Sequence, residues 1–461
     1  MPLLNCRTKD WKNTDAACSV FSHIEYVKKK NGEKHVKTRR VIAYIIVSAI
    51  TVATSAIVMA SQLVLTCPQS TLQTPLPKKK TTVLVYMAGD NGLNEVVEYN
   101  IREMLAAGSS DEVNLLVHLH TKFPGHEKIS KRLHLHNDAL FECGTTAAMD
   151  SGDLSTLYIA CEWALNQFPA EHFILVLWGS AAGPHSAQEG EAPMRSTCYD
   201  SSTGSYLSDG DLREGLRTVC ANCRNGTNID IVAFDSCLQS GVEIAYAIRP
   251  HADIMVATQA VAARNGYNYT QWLQTLYRNP SDMRGVATGM VEAYEEKYKE
   301  TGEEYALSAI DLTNFMTAVM GLHELSSALT SSLRNDSNGV LRTAVRSCAT
   351  AEACPILVNC ALGEWIGDID AIQFCRNLRH ALAQLYEEHP ELPQIPAAMP
   401  RLAKRALRST IIACVASPQH ANTNGLSIYV PTKRINSTYP QMLWAQRAGW
   451  LPFLQELVKK N

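Results

Sequence analysis

From residue 81 onward, runs that are mostly continuous and apolar alternate with amphipathic stretches. The runs are Val83–Met87, Val113–His118, Phe173–Leu177, Ile229–Phe234, Ile254–Ala257 and Ala306–Ile310. A run with no polar face suits a strand that is covered on both sides, as in a parallel sheet. Between the third and earlier runs, Leu154, Leu157, Cys161, Leu165 and Phe168 recur at steps of three and four. That spacing predicts a helix with one apolar stripe, and Asp153 stands where its cap belongs. The alternation predicts an α/β sandwich with right-handed crossovers. Beyond residue 311 the pattern turns helical, with stripes through Phe315, Val319, Leu322, Leu325 and Leu329, and through Phe374, Leu378, Ala381 and Leu385. A late strand, Leu426–Val430, ends at Pro431, and Trp444, Trp450 and Phe453 after it are read as core packing.

Upstream of this region the chain changes character. From Val41 to Ser61 it carries no charge. As a helix this run covers about 31 Å, enough for a hydrocarbon core of about 30 Å. Some forty residues precede it, which disfavours a cleavable leader. Lys28, Lys29, Lys30, Lys34, Lys37, Arg39 and Arg40 lie before it, and only Lys78, Lys79 and Lys80 follow at similar distance. The expected topology keeps the N-terminus cytosolic and residues 62–461 lumenal or extracellular. The expected layout is a basic tail over 1–40, a transmembrane helix over 41–61 and a Pro/Lys-rich stalk over 62–80. A core over 81–311 and a helical extension over 312–461 complete it.

Composition fits that picture without extending it far. The chain has 461 residues, 46% hydrophobic and 19% charged, with a net charge of −3, which gives no reason to expect a nucleic-acid partner. Of 14 cysteines, Cys6 and Cys18 precede the apolar run and the rest follow it. With Cys237 set aside, an odd number remains on the far side, so at least one further thiol is free or intermolecular. Asn225-Gly-Thr, Asn268-Tyr-Thr, Asn335-Asp-Ser and Asn436-Ser-Thr are acceptor sequences for a glycan, the mark of a glycoprotein. Cys220 and Cys223 have zinc-like spacing, but no second pair matches it, and no metal site is assigned.

Candidate chemistry gathers at two strand ends. The run Ile229–Phe234 continues through Asp235 and Ser236 to Cys237, and the run from Phe173 continues through Trp178 and Gly179 to Ser180. These two segments resemble the signature strands of the clostripain family of cysteine peptidases. So do Val83 to Leu93, Met149 to Asp153, Tyr199 to Leu207, Ala309 to Leu312 and Asn424 to Tyr429, and the likeness extends over about residues 82–458. The resemblance implies a caspase-like three-layer sandwich with a mostly parallel sheet and a largely helical C-terminal region. It also implies that Cys237 is the nucleophile and that position 180 holds the general base, a histidine in the family. Here that position is Ser180, followed by Ala181, whose backbone N–H stands where an oxyanion donor is expected.

A cysteine peptidase needs a thiolate, a proton carrier and oxyanion donors. A helical pattern through Val242, Ala245 and Tyr246 follows Cys237, and a helix N-terminus there is expected to lower the thiol pKa. A hydroxyl at 180 cannot exchange protons near neutral pH as imidazole does. His185, after Pro184, is the one nearby replacement base, while His172 belongs to the opposite end of its strand. The family's pocket for Arg or Lys side chains maps onto Asp235 and Asn265, and Asn265 stands where the resemblance expects a carboxylate. Arg264 adds positive charge beside it. Two readings follow. One is a membrane-anchored pseudopeptidase that binds a peptide or protein, including an active paralogous peptidase. The other is an active Arg/Lys-directed endopeptidase that uses His185. No cofactor is expected, and calcium, which some family members need, has no assignable ligands.

Overall fold

The structure, a computed structural model, describes residues 65–66, 76–136, 139–181, 195–351 and 367–460. The basic tail, the apolar run 41–61 and most of the stalk lie outside the described residues. Among the described residues no helix is long and apolar enough to cross a membrane.

In chain order the first elements are β1 (Leu65–Thr66), β2 (Lys79–Gly89), α1 (Val97–Ala106), β3 (Val113–Thr121), β4 (Ile129–His136) and β5 (Ala139–Thr146). Then come α2 (Leu154–Gln167), β6 (Ala170–Gly179), α3 (Asp209–Cys223), β7 (Ile229–Asp235), α4 (Val242–Ile248) and β8 (Ala252–Ala257). Helices α5 (Tyr269–Arg278) and α6 (Met283–Tyr298) lead to β9 (Ala306–Asp311). The rest comprises α7 (Phe315–Arg334), α8 (Val340–Thr350), β10 (Asp368–Asp370), α9 (Ala371–Glu388), α10 (Ala398–Ser409), β11 (Ile411–Ala416), β12 (Ser427–Tyr429), α11 (Leu443–Arg447) and α12 (Trp450–Leu457).

Each of the six expected core strands is present. The main sheet has ten strands in the order β1-β5-β4-β3-β2-β6-β7-β8-β9-β11. Its centre, β3-β2-β6-β7-β8, is parallel, and antiparallel strands extend it on both sides. The late strand forms as β12 but leaves this sheet and pairs antiparallel with β10. Helix α2 starts where expected, because the Asp153 carboxylate accepts the Ser155 N–H. A reciprocal cap between Ser208 and Asp211 starts α3.

The strands' period of two divides the interior into two layers. Leu84, Tyr86, Leu175, Leu177, Val232 and Phe234 face α2, α3, α4 and the C-terminal helices. Val83, Val85, Ile174, Val176, Ile231 and Ala233 face the other way, toward α5 and α6 with Trp272 and Tyr294. Helices therefore cover both sheet faces, and the α/β sandwich has three layers. Strand β2 begins at Lys79 and the Leu76 N–H donates to Gln167 O at 3.1 Å, so the sheet starts inside the segment expected to be a stalk. Asn268 caps α5, and its Nδ2 donates to Ala293 O at 3.3 Å.

Candidate active site

Parallel pairing sets Trp178 of β6 against Asp235 of β7. Ser180 follows the C-terminal end of β6 and Cys237 follows the C-terminal end of β7, so both lie at the same end of two adjacent strands. In doubly covered parallel sheets that end is where ligands bind. His172 lies at the far end of β6, where its Nδ1 pairs with Asp230 Oδ1 at 2.7 Å. His185 and its neighbours 182–194 lie outside the described residues.

The surroundings of the thiol differ from expectation. Cys237 does not start a helix: it sits in a turn, and α4 begins only at Val242, with Gly241 at its cap. Among the described residues the one hydrogen-bond partner of Sγ is the Ala262 N–H at 3.3 Å, and no imidazole reaches it. Burial raises the thiol pKa above the ordinary cysteine value. The Ala262 N–H pulls it down and the Asp235 charge pushes it up. The expected lowering by a helix N-terminus is therefore reversed.

Three residues that the sequence reading missed hold this turn in place. Gln239 Nε2 donates to Ser196 O at 2.9 Å and to Cys237 O at 3.1 Å, while Ser196 Oγ donates to Ala181 O. The two strand ends are thereby tied to each other. Beneath them lies Arg195, almost wholly buried. Its Nη1 donates to Leu238 O, and its Nη2 donates to Asp368 Oδ1 at 2.8 Å, Ser427 Oγ at 2.9 Å and Glu243 Oε2 at 3.3 Å. Burial raises the pKa of both carboxyls, with Arg195 opposing it. Leu238 (φ 61°), Arg195 (φ 56°) and Cys198 (φ 56°) occupy the left-handed region without being glycine. Such backbone persists only where its surroundings over-determine it.

The expected specificity pocket is built differently as well. Asp235 is 5% exposed, and its Oδ2 already accepts the Tyr269 O–H at 2.9 Å and the Tyr267 N–H at 3.1 Å. Burial pushes its carboxyl up to about 6. Gly266 closes over it with φ 63°, where a Cβ would lie 2.5 Å from Oδ2. The Asn265 backbone oxygen accepts from Asn100 Nδ2 at 2.9 Å and from Lys297 Nζ at 3.0 Å. Lys297 also donates to Tyr267 O and to both oxygens of Glu103. The cation held behind the pocket loop is therefore Lys297. Arg264 instead makes an exposed pair with Glu95. The position of Lys297 in the last turn of α6 gave no sequence signal for that role.

The segments that carried the resemblance interlock beside the strand ends. Asp200 Oδ2 accepts the Ser151 N–H at 2.8 Å, and Lys128 joins Asp200 to Asp90. Among the described residues no cluster of three or more His, Cys, Asp or Glu is arranged to hold a metal ion.

Known proteins resemble this chain in sequence and fold. The chain is 26% identical over 220 residues to clostripain of Hathewaya histolytica, a match spanning 41% of each protein. It therefore covers under half the length of that relative. An inactive zymogen C11 protease from Parabacteroides distasonis superposes with a TM-score of 0.56 at 18% identity, covering 80% of this chain and 99% of the other. A secreted C11 cysteine protease from Bacteroides thetaiotaomicron, solved with an irreversible peptide inhibitor, gives 0.55 at 20% identity over 82% and 99%. At such identities these two show the caspase-like fold alone. The clostripain family model matches residues 85–363, which include both strand ends and the pocket loop. With more than half its length inside that match, the chain belongs to the clostripain family.

Proposed function

We propose that this chain is a membrane-anchored pseudopeptidase that binds an extended peptide or protein segment at the Cys237 crevice without hydrolysing it. The observation that supports this reading is that the strand paired with β7, which leads to Cys237, is β6, which leads to Ser180. A peptidase must move a proton from the thiol to the leaving amine, and a serine hydroxyl has no accessible charged form with which to do so. Burial holds the thiol protonated, so the nucleophile is not prepared in advance either. Binding needs none of this. The Arg195 and Gln239 contacts keep the crevice in one shape, and Val261, 44% exposed beside Ala262, offers an apolar contact at its mouth. Anchoring rests on the apolar run 41–61 and the basic flank before it. An active relative is a fitting partner, because it would share peptide ligands of the same geometry.

The test uses the full chain, Ser180→His and Cys237→Ala with lysyl and arginyl peptide amides. The unaltered chain is expected to bind such peptides without turnover, and Ser180→His is expected to gain measurable hydrolysis. Cys237-dependent hydrolysis by the unaltered chain would overturn the reading in favour of an active peptidase with His185 as base.

A further inference from the structure

Helix α2 and strand β4 border a cleft of about 220 Å³, lined by Arg132, Ile159, Glu162, Trp163, Asn166 and Gln167. Three strands separate β4 from β7, so this cleft is distinct from the Cys237 crevice. On β4, Leu133 and Leu135 turn to the layer of α5 and α6. Alternation leaves Arg132 on the opposite face, the one that α2 covers. On α2, Ile159, Trp163 and Gln167 recur every four residues and share one side of the helix. The Trp163 Nε1–H donates to Gln167 Oε1 at 2.9 Å, which holds the indole in one orientation. The Arg132 guanidinium lies over that indole, 5.5 Å from the ring centroid.

The guanidinium has no anion of its own. Among the described residues it makes no ion pair or hydrogen bond, although its Nε is closed off from solvent. The interior beneath supplies no counter-charge. His118, its partner across the β3–β4 ladder, is buried with neither ring nitrogen bonded, and Trp163 and Phe168 pack edge to face. Burial lowers the Arg132 pKa, and the nearby Glu162 charge opposes that without forming a bond. One Glu162 oxygen accepts the Tyr158 O–H at 2.9 Å, and among the described residues the other is uncommitted. A half-buried cation without a counter-charge costs stability, and in a cleft it marks a place for a ligand. Stacking on the indole also pre-orients the fork that grips a carboxylate.

We propose that this cleft binds one free α-amino acid with an apolar side chain. Arg132 takes the carboxylate, Glu162 takes the ammonium group, and Ile159 packs against the side chain. A simple anion fits less well, because Glu162 would face it as a like charge. A zwitterion satisfies both groups at once. The volume lies below the about 300–1,000 Å³ of sites for drug-sized ligands, which suits a single residue rather than a peptide.

The experiment is equilibrium dialysis of the full chain against L-leucine, leucinamide, which lacks the carboxylate, and N-acetylleucine, which lacks the ammonium group. L-Leucine is expected to bind, and each blocked form at least tenfold more weakly. Arg132→Gln is expected to weaken L-leucine binding at least tenfold. Its ligand-free form is expected to melt no lower than wild type, because an unmatched charge has gone. Glu162→Gln is expected to bind L-leucine at least tenfold more weakly and N-acetylleucine no worse than wild type does. No saturable binding of L-leucine up to about 10 mM overturns the proposal. Equal affinity for N-acetylleucine overturns it too, since the cleft would then take carboxylates at large. So does a lower melting temperature of ligand-free Arg132→Gln, which would mean that a group of the chain already holds the guanidinium.

Discussion

Asp235 carries a pH dependence that follows from its position. Its carboxyl titrates at about 6 in the folded chain, because burial disfavours the charge, against about 3.9 when unfolded. Between those values the folded state holds the extra proton, so stability falls as pH rises through the window. The contribution is complete below about 4 and gone above about 6. Asp235→Asn keeps an oxygen for the Tyr269 O–H and the Tyr267 N–H and removes the charge. Urea unfolding at pH 4.5 and pH 7 is expected to show the variant gaining on wild type by on the order of 2 kcal/mol toward the higher pH. An equal difference at both values would mean that the carboxyl is not confined as drawn. The same residue shows what the family comparison leaves open. The resemblance assigns it to the family's pocket, and in the structure its Oδ2 accepts from the chain's own Tyr267 and Tyr269.

Among the elements, legibility depended on which physical signal a segment carries. The six core strands were plain in the sequence because double burial favours apolar residues along them, with only a few polar positions such as Asn114, His118 and Ser308 admitted. Strand β4 was not, because Lys131, Arg132, His134 and His136 interrupt its apolar positions at Leu133 and Leu135. Only a half-covered strand gives that pattern. Strand β11 is a short apolar run directly after α10, and its lack of polar residues does not separate a strand from a helix end. The turn at Cys237 was missed for a different reason. Leu238 takes a left-handed conformation that sequence announces only when the residue is glycine or asparagine, so the helix was placed too early. Arg195 left no trace at all, since a buried arginine is the exception to composition rules. Its role is nevertheless testable. Arg195→Met strands Glu243 and Asp368 in the interior, which is expected to cost about 3–5 kcal/mol. The Leu238 carbonyl also loses its donor, so Cys237 is expected to react with iodoacetamide at a changed rate in the still-folded fraction. An unchanged unfolding midpoint would show that the Cys237 turn, α4, β10 and β12 are not held together through this guanidinium.

At the scale of the folded region, the chain does not divide where its pattern turns helical after residue 311. Residues 312–461 look like an extension because helices replace alternating strands there, but they supply one wall of the sheet's interior. Phe315, Leu322, Trp444, Trp450 and Phe453 belong to the same apolar layer as Leu84, Leu177 and Phe234. The Ser427 N–H donates to Ser240 O at 2.8 Å, and Asp368 closes the charge cluster around Arg195. Residues 64–461 accordingly form one compact unit. A chain truncated after Asp311 keeps α2, α3 and α4 but strips the C-terminal helices from the layer they share with β7 and β8, and leaves Arg195 short of a carboxylate. At about 25 cal/mol per Å² of apolar surface, a layer stripped in this way outweighs the few kcal/mol by which domains of this size are stable. The truncated chain is therefore expected to bind a hydrophobic dye and to lose the single sharp thermal transition of the full chain. Retention of a cooperative transition by residues 76–311 would show two separable units, and the crevice at Cys237 would then owe its shape to the core alone.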